Sequence, residues 1–119
     1  MTGFSTASGV DSLVDGIFLP AGTGSRDGTV WWIAFPWDVY TITIDLGDLF
    51  EIESFVLQAD YNDDYILYYW DLQNESWEVA WEVPIYTSSS MKGMQTRPNP
   101  DDHAERYLLS YNIVTDALR

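Results

Sequence analysis

Period-two alternation of apolar and polar residues runs through this sequence, and it leaves little room for anything but strands. Ile42, Ile44 and Leu46 alternate with Thr41, Thr43 and Asp45. In "WEVAWEV", Trp77, Val79, Trp81 and Val83 fall on one face and Glu78, Ala80 and Glu82 on the other. Tyr107, Leu109 and Tyr111 alternate with Arg106, Leu108 and Ser110. Successive side chains of a strand point to opposite faces, so strict alternation marks strands with one wet and one buried face. The runs are rich in β-branched and aromatic residues, which fit a pleated surface. No helical stripe persists over three turns.

Turn signals separate the runs. Gly47 and Asp48 in "LGDLF" read as one turn. "DLQNES" joins residues 65–70 to residues 77–83, which predicts a hairpin. "LPAGTGSRDGT" and "TSSSMKGMQTRPNPDD" read as long polar loops. With 119 residues and a hydrophobic fraction of 46%, the chain predicts a single domain, residues 1–119, with a real core. Short strands between regularly spaced turns predict an all-β, antiparallel sandwich. Ile42, Ile44, Leu46, Trp77, Val79 and Trp81 are the expected core positions.

Charge narrows the partners. Five basic residues stand against nineteen acidic ones, a net charge of −14. Such a surface repels phosphate backbones and anionic headgroups, so no nucleic acid and no membrane partner is expected. No apolar run approaches the roughly 20 residues that span a bilayer, and the first residues carry no basic-then-apolar leader. Cations, neutral sugars and basic proteins suit the charge. The absence of cysteine excludes disulfides, thiolate zinc sites and cysteine nucleophiles.

"TITIDLG" followed by "FEIESFVLQ", a polar loop, "YILYYWD", a turn and "SWEVAWEV" resembles the discoidin, or coagulation factor 5/8 type C, family. "LVDG" and "TVWW" resemble that family's Asp-Gly loop and Thr-x-Trp element. The segments "FLPAGTGSRDGTVWW", "QADYNDDY" and "MQTRPNPDDHAERY" resemble a subgroup of bacterial secreted or surface-sorted proteins. The resemblance implies a galactose-binding-like jelly roll, a secreted or cell-surface location and a glycan ligand. It also implies a Ca²⁺ site near Asp15 and Thr29, and one further strand beyond "TDALR" that carries a Glu. Without that strand an open sheet edge is expected, and open edges pair with other chains, so a homo-oligomer is predicted.

Several residues carry candidate chemistry. Asn62, Asp63 and Asp64 form a knot of amide and acid groups where strand patterns meet. Such groups accept sugar hydroxyls or hold a hard cation, or they simply form a solvated turn. Trp37, in "AFPWDVY", reads as a loop aromatic that either stacks on a sugar face or caps the core. Arg97 completes the ligand set. Asp15, Asp27 and Thr29 offer oxygen ligands to Ca²⁺, or Asp15 and Gly16 make a turn. His103, the one histidine, stands among acids with no evident nucleophile. Glu78 and Glu82 share a strand face, where paired carboxylates could serve glycosidic chemistry but more commonly form a polar outer face. The expectation is a non-catalytic binding module for a glycan, not an enzyme. The alternatives are a self-associating interaction domain and a small glycan-active enzyme using Glu78, Glu82 or Asp64.

Overall fold

The computed structural model describes residues 3–6, 18, 30–33, 41–60, 64–84, 94–102 and 104–119. Among these residues there are eight strands and no helix. The strands are β1 (Gly3–Thr6), β2 (Val30–Ile33), β3 (Ile44–Phe55), β4 (Leu57–Asp60), β5 (Tyr65–Asp71), β6 (Ser76–Val83), β7 (Met94–Arg97) and β8 (Tyr107–Leu118). They form a four-stranded sheet in the order β3-β8-β5-β6 and two pairs, β1-β2 and β4-β7. Every pairing is antiparallel. The alternation of residues 41–46 is visible in the burial: the threonines and Asp45 are exposed, while Ile42, Ile44 and Leu46 are half-buried.

The β5–β6 hairpin follows the sequence pattern. Asp71 pairs with Ser76 across a four-residue loop of Leu72, Gln73, Asn74 and Glu75. The Asp71 carboxylate holds that loop. It accepts the backbone N–H groups of Gln73 at 2.9 Å and Asn74 at 3.2 Å, and the Asn74 side-chain amide at 2.8 Å.

Strict alternation fails inside β6. Leu67 faces Trp81, but Tyr68 faces Val79, so Ala80 is an extra residue in β6. A bulge of this kind flips the side-chain phase on one side of it. Trp81 and Val83 lie across from Leu67 and Tyr65 on the core face. Trp77 and Val79 lie across from Trp70 and Tyr68 on the opposite face. Val83 is 1% exposed and Trp81 buried, whereas Val79 is 49% exposed. The expected shared face of Trp77, Val79, Trp81 and Val83 is therefore two half-faces. Trp77 is half-buried there, with its ring edge-on to Trp70 at 5.3 Å and the Arg119 guanidinium 4.3 Å from its centre.

Two other readings change. Gly47 and Asp48 do not end a strand but lie within β3, in a bulge where Asp45 pairs with Ala117 and Phe50 with Thr115. Gly47 has φ of +78°, and its N–H donates to the Asp45 carboxylate at 2.8 Å. That left-handed backbone is cheap only for glycine. Residues 94–97, expected in a loop, form β7 against β4, and Gln58 donates to the Thr96 hydroxyl at 3.3 Å. Cross-strand pairing outweighs the polar character of "MQTR".

The core centres on Phe55, Trp81 and Val83, with Leu57, Tyr65, Leu67 and Leu109 packed against it. A second register break, between Ile52 and Ser54, lets β8 reach across the core face. Tyr107, paired with Phe55, lies flat on Trp81 with ring centres 4.7 Å apart. At its other end β8 joins β5: the Tyr68 and Arg119 backbones exchange hydrogen bonds of 2.8 and 2.9 Å. Thr115, fully buried, donates its hydroxyl to the Trp70 carbonyl at 2.8 Å.

Candidate functional site

Of the residues expected to bind a ligand, Asp64 and Arg97 are described, and they belong to one end of the fold. Asp64 is exposed and leads directly into β5. The next residue, Tyr65, turns its ring toward the core, and the Arg97 guanidinium lies 5.6 Å from its centre. Arg97 is itself fully buried at the end of β7, and its Nη1 donates to the Pro84 carbonyl at 3.4 Å. Arg97 thus links the end of β6 to the start of β5 from beneath the surface, while Asp64 meets solvent. A planar guanidinium can stack on an aromatic ring and donate from its edge together, so this position suits Arg far better than Lys.

Trp37, Asn62 and Asp63 lie outside the described residues, as do Asp15, Asp27 and Thr29 of the expected Ca²⁺ site, and His103. Among the described residues no three His, Asp or Glu side chains converge as a metal site. No helix among them is long and apolar enough to cross a membrane.

The β6 bulge separates the two glutamates that the sequence pairs. Glu78 lies opposite Tyr69 and Glu82 opposite Ile66. Directly opposed residues share a face, and Tyr69 and Ile66 are three apart on β5, so the carboxylates project to opposite sides of the sheet. They cannot act on one bond.

A second feature lies toward the other end of β5. Tyr69, Tyr107 and Tyr111 line a shallow cleft of about 110 Å³ together with Val79, Ala80, Leu109, Ser110 and Ile113. It forms where β8 crosses the core face of the β5–β6 hairpin. Tyr107 is fixed by its stack on Trp81, and Tyr111 stands 76% exposed. Glu78 shares the face of Tyr69, and its carboxylate accepts the Ser76 hydroxyl at 2.8 Å. Burial pushes the Tyr69 phenol above its ordinary value, and the negative charge of Asp71, the neighbouring Tyr111 and Glu78 add to the rise. Asp71 moves the other way. The Asn74 backbone N–H draws its carboxyl below the usual range, the Gln73 N–H and the Asn74 side chain assist, and partial desolvation opposes them.

Sequence reasoning did not single out this cleft. The available signal was "YLLSY", which repeats tyrosine on one side of an alternating strand. In comparisons with known proteins, no family model, no curated protein and no solved structure matches this chain.

Proposed function

We propose that this chain is a non-catalytic binding module that holds a glycan at one end of a discoidin-like, jelly-roll β-sandwich. The observation that carries the reading is the joint placement of Asp64 and Arg97. An exposed carboxylate, able to accept sugar hydroxyls, is mounted on a strand start that a buried guanidinium braces through Tyr65 and Pro84. Rigid strands that present polar loop groups are how sandwich folds commonly build ligand contacts. Asn62 and Asp63 would extend the polar contacts, Trp37 would stack on the sugar face, and Asp15, Asp27 and Thr29 would hold Ca²⁺ that shapes the neighbouring loops. Glu78 and Glu82, on opposite faces, give no acid–base pair for glycosidic chemistry.

The test is a panel of neutral glycans, screened with and without Ca²⁺ on the intact chain. At least one neutral glycan should bind, and Asp64→Ala should weaken it several-fold. Failure of every neutral glycan, or unchanged binding by Asp64→Ala, would remove the reading.

Self-association is favoured as a second reading by a separate observation. Leu108 is 74% exposed, and Leu49, Phe50, Tyr111 and Val114 along β3 and β8 are at least half exposed. Large apolar side chains exposed along paired strands offer contact surface to a second copy, although Phe50 and Val114 lie on opposite faces of the sheet.

A further inference from the structure

The tyrosine-bordered cleft has a chemistry that the glycan reading does not use. Three tyrosines border it, and the carboxylates of Glu78 and Asp71 stand on the Tyr69 face of the hairpin. Tyr69 comes from the hairpin, and Tyr107 and Tyr111 come from β8, so tyrosines border the cleft from both sides. Tyr107 cannot swing freely because it is stacked on buried Trp81, with ring planes 9° apart. Glu78 is directly opposite Tyr69, and Asp71 is two residues further along the same face of β5. Both carboxylates are held in place, Glu78 by Ser76 and Asp71 by its own turn. The nearest cation in sequence, Arg106, directs Nη1 to the Glu105 carbonyl at 3.3 Å.

We propose that this cleft binds the ammonium group of a small organic cation, with Tyr69, Tyr107 and Tyr111 supplying ring faces and Glu78 the counter-charge. The face of an aromatic ring carries negative potential, and several rings around one cation form a cage selective for ammonium groups. A neutral apolar ligand would draw nothing from the Glu78 charge. An anionic ligand would meet two fixed carboxylates and the −14 charge of the chain. The volume of about 110 Å³ admits one ammonium head or several waters, with the rest of a larger ligand left in solvent. The strength expected of a partly open cage is modest, in the millimolar range. The site is independent of Asp64, which lies at the opposite end of β5, so either proposal can fail alone.

The experiment compares choline with 3,3-dimethylbutan-1-ol, its neutral isostere, by two-dimensional NMR titration of the intact chain. Glucosamine and N-acetylglucosamine form a second pair. Choline should shift resonances of Tyr69, Tyr107 and Tyr111, and its neutral isostere should bind at least several-fold more weakly. Tyr111→Ala should weaken choline by roughly two- to thirty-fold, the span of one ring face. Because Tyr111 is largely exposed, that variant keeps its core. Tyr111→Phe, which keeps the ring, should retain binding, and Glu78→Gln should weaken it. A preference for glucosamine over its N-acetyl form would identify an amino sugar as the source of the cation, and a response to choline alone would identify a quaternary headgroup. Equal binding of choline and its neutral isostere would overturn the proposal, leaving only an apolar dimple. So would the absence of any shift with either cation at tens of millimolar.

Discussion

Val79 and Val83 stand four residues apart in one strand and look equivalent in the sequence, yet the bulge at Ala80 gives them opposite surroundings. Val→Ala at each is therefore a direct test of the fold. The substitution removes two methylene equivalents, worth about 0.8 kcal/mol each when fully buried. Val83, 1% exposed between Trp81 and Phe55, should lose all of that and also leave a cavity. Its total cost should be about 2–3 kcal/mol. Val79 is 49% exposed, so only half of its surface is recovered from water and no closed cavity forms. Its cost should be about 0.5–0.8 kcal/mol.

Urea unfolding followed by far-ultraviolet circular dichroism measures both. With m of about 1–3 kcal/mol/M, a gap of about 1.2–2.5 kcal/mol separates the two midpoints by roughly 0.4–2.5 M. Equal m values in the two variants would show that the denatured state is unchanged. Similar losses of about 2 kcal/mol at both positions would rule out the bulge, since that is what an unbroken strand with a single apolar face predicts.

Other expectations are open to simple measurement. Gly47→Ala should cost about 1–2 kcal/mol through its φ of +78° alone, because a Cβ there meets nothing within 4 Å; Gly47→Asn should cost less, and thermal melts of the two variants would show it. The carboxyl of Asp71 titrates below its unfolded value, so its stabilisation is full above the unfolded value of about 3.9 and fades as pH falls through the folded one; the midpoint gap between wild type and Asp71→Asn should close on acidification, and a gap constant from pH 7 to the acid limit would contradict it. If the exposed apolar residues of β3 and β8 mediate self-association, it should tighten with salt, because screening weakens the repulsion between copies of net charge −14; sedimentation that stays monomeric at every salt and protein concentration would exclude it.

What could be read from the sequence was local. The run of residues 41–46 alternates in burial as it does in composition, and the β5–β6 hairpin closes on the turn residues that predict it. Three features were hidden. In "WEVAWEV" the small Ala80 is compatible with either face, so nothing in the run betrays the inserted residue. In "LGDLF" glycine and aspartate have the composition of a turn, and a bulge inside a long strand uses the same left-handed glycine. In "MQTR" the strand depends on β4, so pairing with a distant segment decides its conformation. The site follows the same division. The exposure of Asp64 is what a loop acid would show, but the burial of Arg97 beside Tyr65 required three elements to meet.

The inserted residue at Ala80 also determines the chemistry of the cleft. Without it, the alternation would carry Trp77 and Val79 onto the face of Trp81 and Val83 and turn Glu78 away beside Glu82. The space next to Tyr69 would then hold apolar side chains continuous with the core. With the bulge, the core face ends at Trp81, and the next side chain on that face is a carboxylate. Tyr107 seals the core side by stacking on Trp81, and Tyr111 stands two alternations further along β8, beside the Tyr69 phenol. One extra residue in an edge strand of the sheet thus divides a continuous apolar face into two parts, a packed core and a tyrosine-bordered hollow with Glu78 opposite Tyr69. Deleting Ala80 should restore unbroken alternation, bury Val79 and expose Glu78 on the outer face. In that variant choline should no longer perturb Tyr69 or Tyr111, even where circular dichroism reports an intact sheet. Retained choline binding by a folded Ala80 deletion would break the link between the bulge and the cleft.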